Sequence, residues 1–147
     1  MDPLRVAELE RRLGYRFRDS LLLEQALTHA SYANEHPPAP DHARLAFLGD
    51  AALALVVADH VTTDDPAAPV GVLTSQRAEL VTDARLARWA VELELGPLLR
   101  LGRGEDQSGG RARDSILASA LEAVLGAIYR DGGLDAVRGV IGRLAAW

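Results

Sequence analysis

Two long apolar stretches, each interrupted by one carboxylate, constrain this chain most. Leu45–Ala58 (LAFLGDAALALVVA) holds a single charged residue, Asp50. Ser115–Tyr129 (SILASALEAVLGAIY) holds a single one, Glu122. Both stretches read as helices that are apolar nearly all round, and therefore as central, buried elements. A lone carboxylate in such a helix must be hydrogen-bonded, paired, protonated or bound to a cation. Residues three or four apart share a helical face. Ala43, Ala46 and Ala54 accompany Asp50 on its face, and Ser119 and Gly126 accompany Glu122. Small neighbours let two helices approach closely, so that the two acids can converge on one hard cation. Magnesium is often held by only one or two carboxylates plus substrate phosphates. The alternative is structural: each acid satisfies a backbone group or pairs with a buried arginine.

The rest of the pattern is helical. Val6–Leu13 is a short amphipathic helix, and Asp19 or Ser20 can cap a second over Leu21–Thr28. His36–Pro40 (HPPAP) reads as a loop, Arg44–Val61 as the central helix and Thr62–Pro69 as a polar loop. Val72–Leu95 reads as helix interrupted once, and Gly96–Leu101 as a short element. A glycine-rich loop follows over Gly102–Gly110. Asp114 can cap the helix Ser115–Tyr129, Asp131–Gly133 ends it, and Leu134–Ala146 is the last helix. No strand, repeat or linker is evident. The fold class expected is all-α, a helical bundle forming one domain over residues 1–147.

A chain of 147 residues can bury a core without staples. The lack of cysteine excludes disulfides and thiolate metal sites and fits a cytoplasmic protein. The charged N-terminal segment has no apolar signal core, and the longest unbroken apolar run, Ala51–Ala58, is too short to cross a bilayer, so no membrane partner is expected. A net charge of −5 argues against a general nucleic-acid clamp. Arg100, Arg103, Arg111 and Arg113 nevertheless bracket the glycine-rich loop and can contact phosphates, helped by the next helix N-terminus. With Glu105 and Asp106 beside them they can equally form a solvated surface loop. His42 can serve as an acid–base group or a structural one, and His29 suits packing or capping.

Several segments in order resemble one family. ARLAFLGDAAL (Ala43–Leu53) resembles the signature helix of ribonuclease III, usually NERLEFLGDSVL. LGYRFRDSLLLEQALTHASY (Leu13–Tyr32) resembles the family's opening helices and GVLTSQRAELV (Gly71–Val81) its middle helix. LRLGRGEDQSGGRARDSILASALEAVLGAIYRDGG (Leu99–Gly133) follows its glycine-rich loop and second catalytic helix. The resemblance implies an all-helical homodimer whose acidic clusters lie at the ends of a valley for double-stranded RNA. It implies magnesium that activates water for phosphodiester hydrolysis. Phe47 matches the aromatic that plugs into the partner subunit, and Arg77 matches a middle-helix arginine that can pair with a carboxylate such as Glu122 as an alternative to a metal.

The chain departs from that pattern where the chemistry lies. Of the family's four acids, carried over by position, the second falls on Asp50 and the last on Glu122. The other two fall on Ala46 and Ser119. Further family acids fall on Ala43, Val70 and Val72. Fewer anionic ligands mean weaker affinity for magnesium or manganese, with Ser119 offering only a neutral oxygen. Typical members follow this domain with a double-stranded-RNA-binding domain, and the sequence holds no stretch resembling one: either the chain is truncated, or it works alone as the compact single-domain branch of the family does. Three functions fit these residues. One is a weakened endoribonuclease working through Asp50 and Glu122. Another is a catalytically inactive dimeric scaffold binding RNA or protein. The third is a repurposed enzyme acting on a small molecule, with Asp50 and Glu122 as an acid–base pair.

Overall fold

Nine α-helices and no strand make up the computed structural model, which describes residues 1–147. In chain order they are α1 (Pro3–Leu13), α2 (Ser20–Ala26), α3 (Ala30–Glu35), α4 (Ala43–Asp64), α5 (Val70–Leu80), α6 (Asp83–Glu92), α7 (Arg103–Gln107), α8 (Asp114–Gly132) and α9 (Leu134–Ala145). Short 3-10 turns cover Gly96–Leu98 and Gly110–Ala112.

Local chemistry sets the helix ends. Asp2 accepts from the Leu4 amide ahead of Pro3 and starts α1. Gly14 ends α1 in the left-handed region at φ 67°, and the Arg143 guanidinium donates to the Arg11 and Arg12 carbonyls there. Asp19, not Ser20, caps α2. Asp131 near the end of α8 accepts from Tyr15 Oη and from the Arg18 and Asp19 amides, which ties α8 to the α1–α2 connection.

Three boundaries differ from the expectations. The glycine-rich segment is not all loop, because it contains α7. A helix over Ala30–Glu35 precedes the HPPAP loop. Asp114 is the first residue of α8 rather than its cap, a position taken by Arg113 without a side-chain bond.

α8 is the centre of the molecule: eleven of its residues, Ile116 to Ile128, lie in the core, and α2, α4, α6 and α9 pack around it. α4 is long and apolar enough to cross a membrane by length and composition, yet it buries Leu45, Gly49, Ala52, Leu53, Val56, Val57 and Val61 against the other helices. Only one of its faces is covered. Phe47 is 83% exposed and Leu55 54%, so the all-round apolar character of α4 does not reflect all-round burial.

Candidate active site

α4 and α8 cross with their backbones in contact at two glycines. A Cβ on Gly49 would stand 1.7 Å from the Glu122 carbonyl oxygen, and one on Gly126 would stand 2.0 Å from that of Leu45. Glycine is unfavourable inside a helix, by about 1 kcal/mol relative to alanine, and the close approach is what requires it here. Asp50 follows Gly49 directly, and Glu122 precedes Gly126 by one turn. The crossing therefore brings the two carboxyls into hydrogen-bond reach. Of the small residues noted in the sequence, Gly126 makes this approach; Gly49, adjacent to Asp50, was not among them.

The two acids sit differently. Glu122 is half-buried, whereas Asp50 is exposed at the edge of the open face of α4, not inside a buried helix. Burial first, then the hydrogen bond to Asp50, the charge of Asp50 and that of Asp83 push the Glu122 carboxyl up to about 8. Glu122 therefore holds its proton to higher pH than an ordinary carboxyl, with Asp50 beside it as the acceptor. Asp83 did not stand out in the sequence. It opens α6, behind the Thr82 side chain that caps the helix, and a Thr-Asp pair at a helix start is the signal that marks it. Neither Asp50 nor Glu122 forms an ion pair, and Arg77 is exposed with no carboxylate on it, so the arginine-paired alternative is not what the structure has.

Ala46 and Ser119 lie half-buried, one turn before Asp50 and Glu122 respectively. Ala43 is exposed at the start of α4, and Val70 and Val72 are exposed at the start of α5. No group of three or more His, Asp or Glu is gathered as a metal cage. Two carboxyls close enough to share a proton do fit a hard cation that keeps most of its waters.

The four loop arginines separate. Arg111 pairs with Asp106 and donates to the Gly96 and Leu99 carbonyls. Arg113 pairs with Glu105, and Arg100 pairs with Glu24 at 2.5 Å while lying over the Tyr32 ring. Only Arg103 has no carboxylate on its side chain. His29 caps α3 through Nδ1, which accepts from the Ser31 amide. His42 is 7% exposed, lies 3.3 Å from the Ala26 carbonyl, and is held below the usual histidine range chiefly by burial. Both are structural.

The fold has counterparts among known proteins. The family model described as Ribonuclease-III-like matches residues 19–146. Ribonuclease 3 of Symbiobacterium thermophilum is 51% identical over 138 residues, 94% of this chain and 58% of that protein. Ribonuclease 3 of Streptomyces coelicolor is 51% identical over 136 residues, 92% of this chain and 49% of that protein. The nuclease domain of ribonuclease III from Campylobacter jejuni superposes with a TM-score of 0.89 at 37% identity, covering 95% of this chain and 94% of that one. That structure is described for flexibility in its dimer-forming region. The all-helical domain thus has a nuclease-domain fold. The chain belongs to the Ribonuclease-III-like family, and it spans about half to three-fifths of the length of the curated relatives it matches.

Proposed function

We propose that this chain is the catalytic part of a homodimeric endonuclease for double-stranded RNA, with hydrolysis attenuated by the loss of two acids. The observation that carries the reading is that Asp50 and Glu122, the two family acids that remain, are the two that the Gly49–Gly126 crossing brings together.

Asp50 and Glu122 are the residues that would hold magnesium or manganese. Such a cation supplies polarisation of the phosphate and a bound water of lowered pKa. Asp50, on the exposed side, faces the substrate. Glu122 must release the proton it shares with Asp50 before it can act as a ligand, so cation binding is favoured by rising pH. Ala46 and Ser119 bring no carboxylate, which weakens affinity. Of the loop arginines, Arg103 is the one whose guanidinium is available for phosphate. Phe47, standing out from α4, is the residue that would plug into the second subunit.

The test is cleavage of a long double-stranded RNA by the purified chain in magnesium and in manganese, beside Asp50→Asn and Glu122→Gln. Slow cuts, faster in manganese and absent in both variants, are expected. The same rate in either variant would refute the assignment, and no cleavage from a dimer that binds RNA would make the chain a scaffold.

A further inference from the structure

α3 and α7 meet along a tight seam. A Cβ on Gly102, the residue before α7, would stand 2.6 Å from the Ser31 carbonyl oxygen and 2.8 Å from a Glu35 carboxylate oxygen. Gly102 has no side chain with which to cap α7, so the acceptors come from α3. Ser31 Oγ accepts from the Gly102 amide at 2.8 Å, and Glu35 accepts from the Arg103 amide at 3.0 Å. Ser31 is in turn held by His29. The Ser31 amide donates to His29 Nδ1 at 3.1 Å, and Ser31 Oγ lies 2.8 Å from the same nitrogen. An Nδ1 that accepts carries no hydrogen, so the imidazole is neutral with its proton on Nε2. A hydroxyl that accepts from Gly102 has its own hydrogen free for Nδ1. The bonds then run from the Gly102 amide through the Ser31 hydroxyl to His29. The Ser31 amide and hydroxyl share the one lone pair at which they end.

We propose that His29 is a positioning residue whose neutral imidazole latches α3 to α7, and that protonation at Nδ1 releases α7. A proton taken from solvent turns the acceptor into a donor. It sets a second N–H against the Ser31 amide, removes the cap of α3 and reverses the demand on the hydroxyl that holds Gly102. His29 is half-buried, so solvent protons reach it. Its surroundings do not compensate. His42, before α4, stands edge-on to it at 5.7 Å and is held below the usual histidine range chiefly by burial. Arg100, whose carbonyl accepts from the His29 amide at 3.0 Å, holds Glu24 of α2 and lies over the Tyr32 ring. Asp41 is engaged on the Ala43 amide, His36 stacks on Tyr32, and Glu35 is on the Arg103 amide. No carboxylate pairs with His29 to steady an imidazolium. Arg103, which the reading above gives to phosphate, begins α7, so the latch sets where it stands; only this consequence rests on that reading.

The test is amide hydrogen exchange of the whole chain at about pH 5.5 and about pH 8, corrected for intrinsic rates, beside an NMR titration of the assigned histidine rings. Protection of the Ser31, Gly102 and Arg103 amides is expected to fall about tenfold at the lower pH, the scale of one lost cap, while the core amides of α8 keep theirs. The midpoint of that fall should follow the His29 ring. His29→Asn, a cap that does not titrate, should hold the protection at both pH values. Protection that does not change with pH, a midpoint that follows His36, His42 or a carboxyl instead, or the same fall in His29→Asn overturns the proposal. The parent's own titration decides the matter even where the variant does not fold. Double-stranded-RNA binding is the second arm: His29→Asn should bind more tightly than the parent at the lower pH and equally at the higher. Equal binding at both, with the fall in protection intact, keeps the latch and overturns the phosphate role of Arg103.

Discussion

At the residue scale, Glu122 sets a pH dependence of known sign. Its carboxyl stands at about 8 in the fold against an ordinary value of 4.5. Between those values the unfolded chain has lost the proton that the folded chain retains. Stability therefore falls as pH rises through that window, and the full penalty is present above it. Glu122→Gln keeps a donor toward Asp50 and removes the penalty. The variant is expected to be more stable than the parent at about pH 9, by ~1–2 kcal/mol once solvent screening of a half-exposed pair is allowed for, and equal to it near pH 5. Thermal melts across pH measure this. Asp131 has the opposite sense. Burial alone would raise its carboxyl, but the bonds from Tyr15, Arg18 and Asp19 hold it below 3.8. Its stabilisation is present above the ordinary carboxylate value and is lost as pH falls through the lowered one. Asp131→Ala should cost about 1–2 kcal/mol in urea melts at neutral pH, and less in strong acid. Asp50 and Glu122 were legible in sequence because a lone charge in an apolar run is conspicuous. Asp83 was not, since an acid at a helix start has an ordinary local reason to be there.

At the element scale, the α4–α8 crossing makes the site. Gly49→Ala would drive a methyl into the Glu122 carbonyl and force the two backbones apart. We expect a loss of about 3 kcal/mol or more, together with a fall in the Glu122 value toward the ordinary range as the carboxyls separate. Chemical denaturation and carboxyl NMR titration check the two parts. The long helices could be read from periodicity, but the short ones could not. α7 is started by groups far away in the chain: Glu35 accepts from the Arg103 amide, and Ser31 Oγ accepts from the Gly102 amide. α3 is started by a histidine, an uncommon cap. The contacts that start α7 leave no local sequence signal; His29 suits capping in the sequence, but a histidine cap does not by itself announce a helix. The pairing of Gly49 with Gly126 escaped for a similar reason, because each glycine is ordinary alone and informative only across the crossing.

At the scale of the whole molecule, one open face of α4 carries both the exposed acid Asp50 and the exposed aromatic Phe47. Asp50 lies toward Glu122 of α8, and Phe47 stands out from the same helix one turn earlier. On the proposed reading, dimerisation and hydrolysis share one helix but use separable side chains. Phe47→Ala is expected to weaken association about tenfold or more while leaving Glu122's titration unchanged, as sedimentation and NMR would show. The central claim is that a nuclease scaffold is intact and only its acids are depleted. The most direct measurement is the rate of double-stranded-RNA cleavage in magnesium by Ala46→Glu/Ser119→Asp, with and without Glu122→Gln. The account predicts a gain of about 10–100-fold over the parent, abolished by Glu122→Gln. No gain from a folded, dimeric variant, or a gain that survives Glu122→Gln, would contradict it.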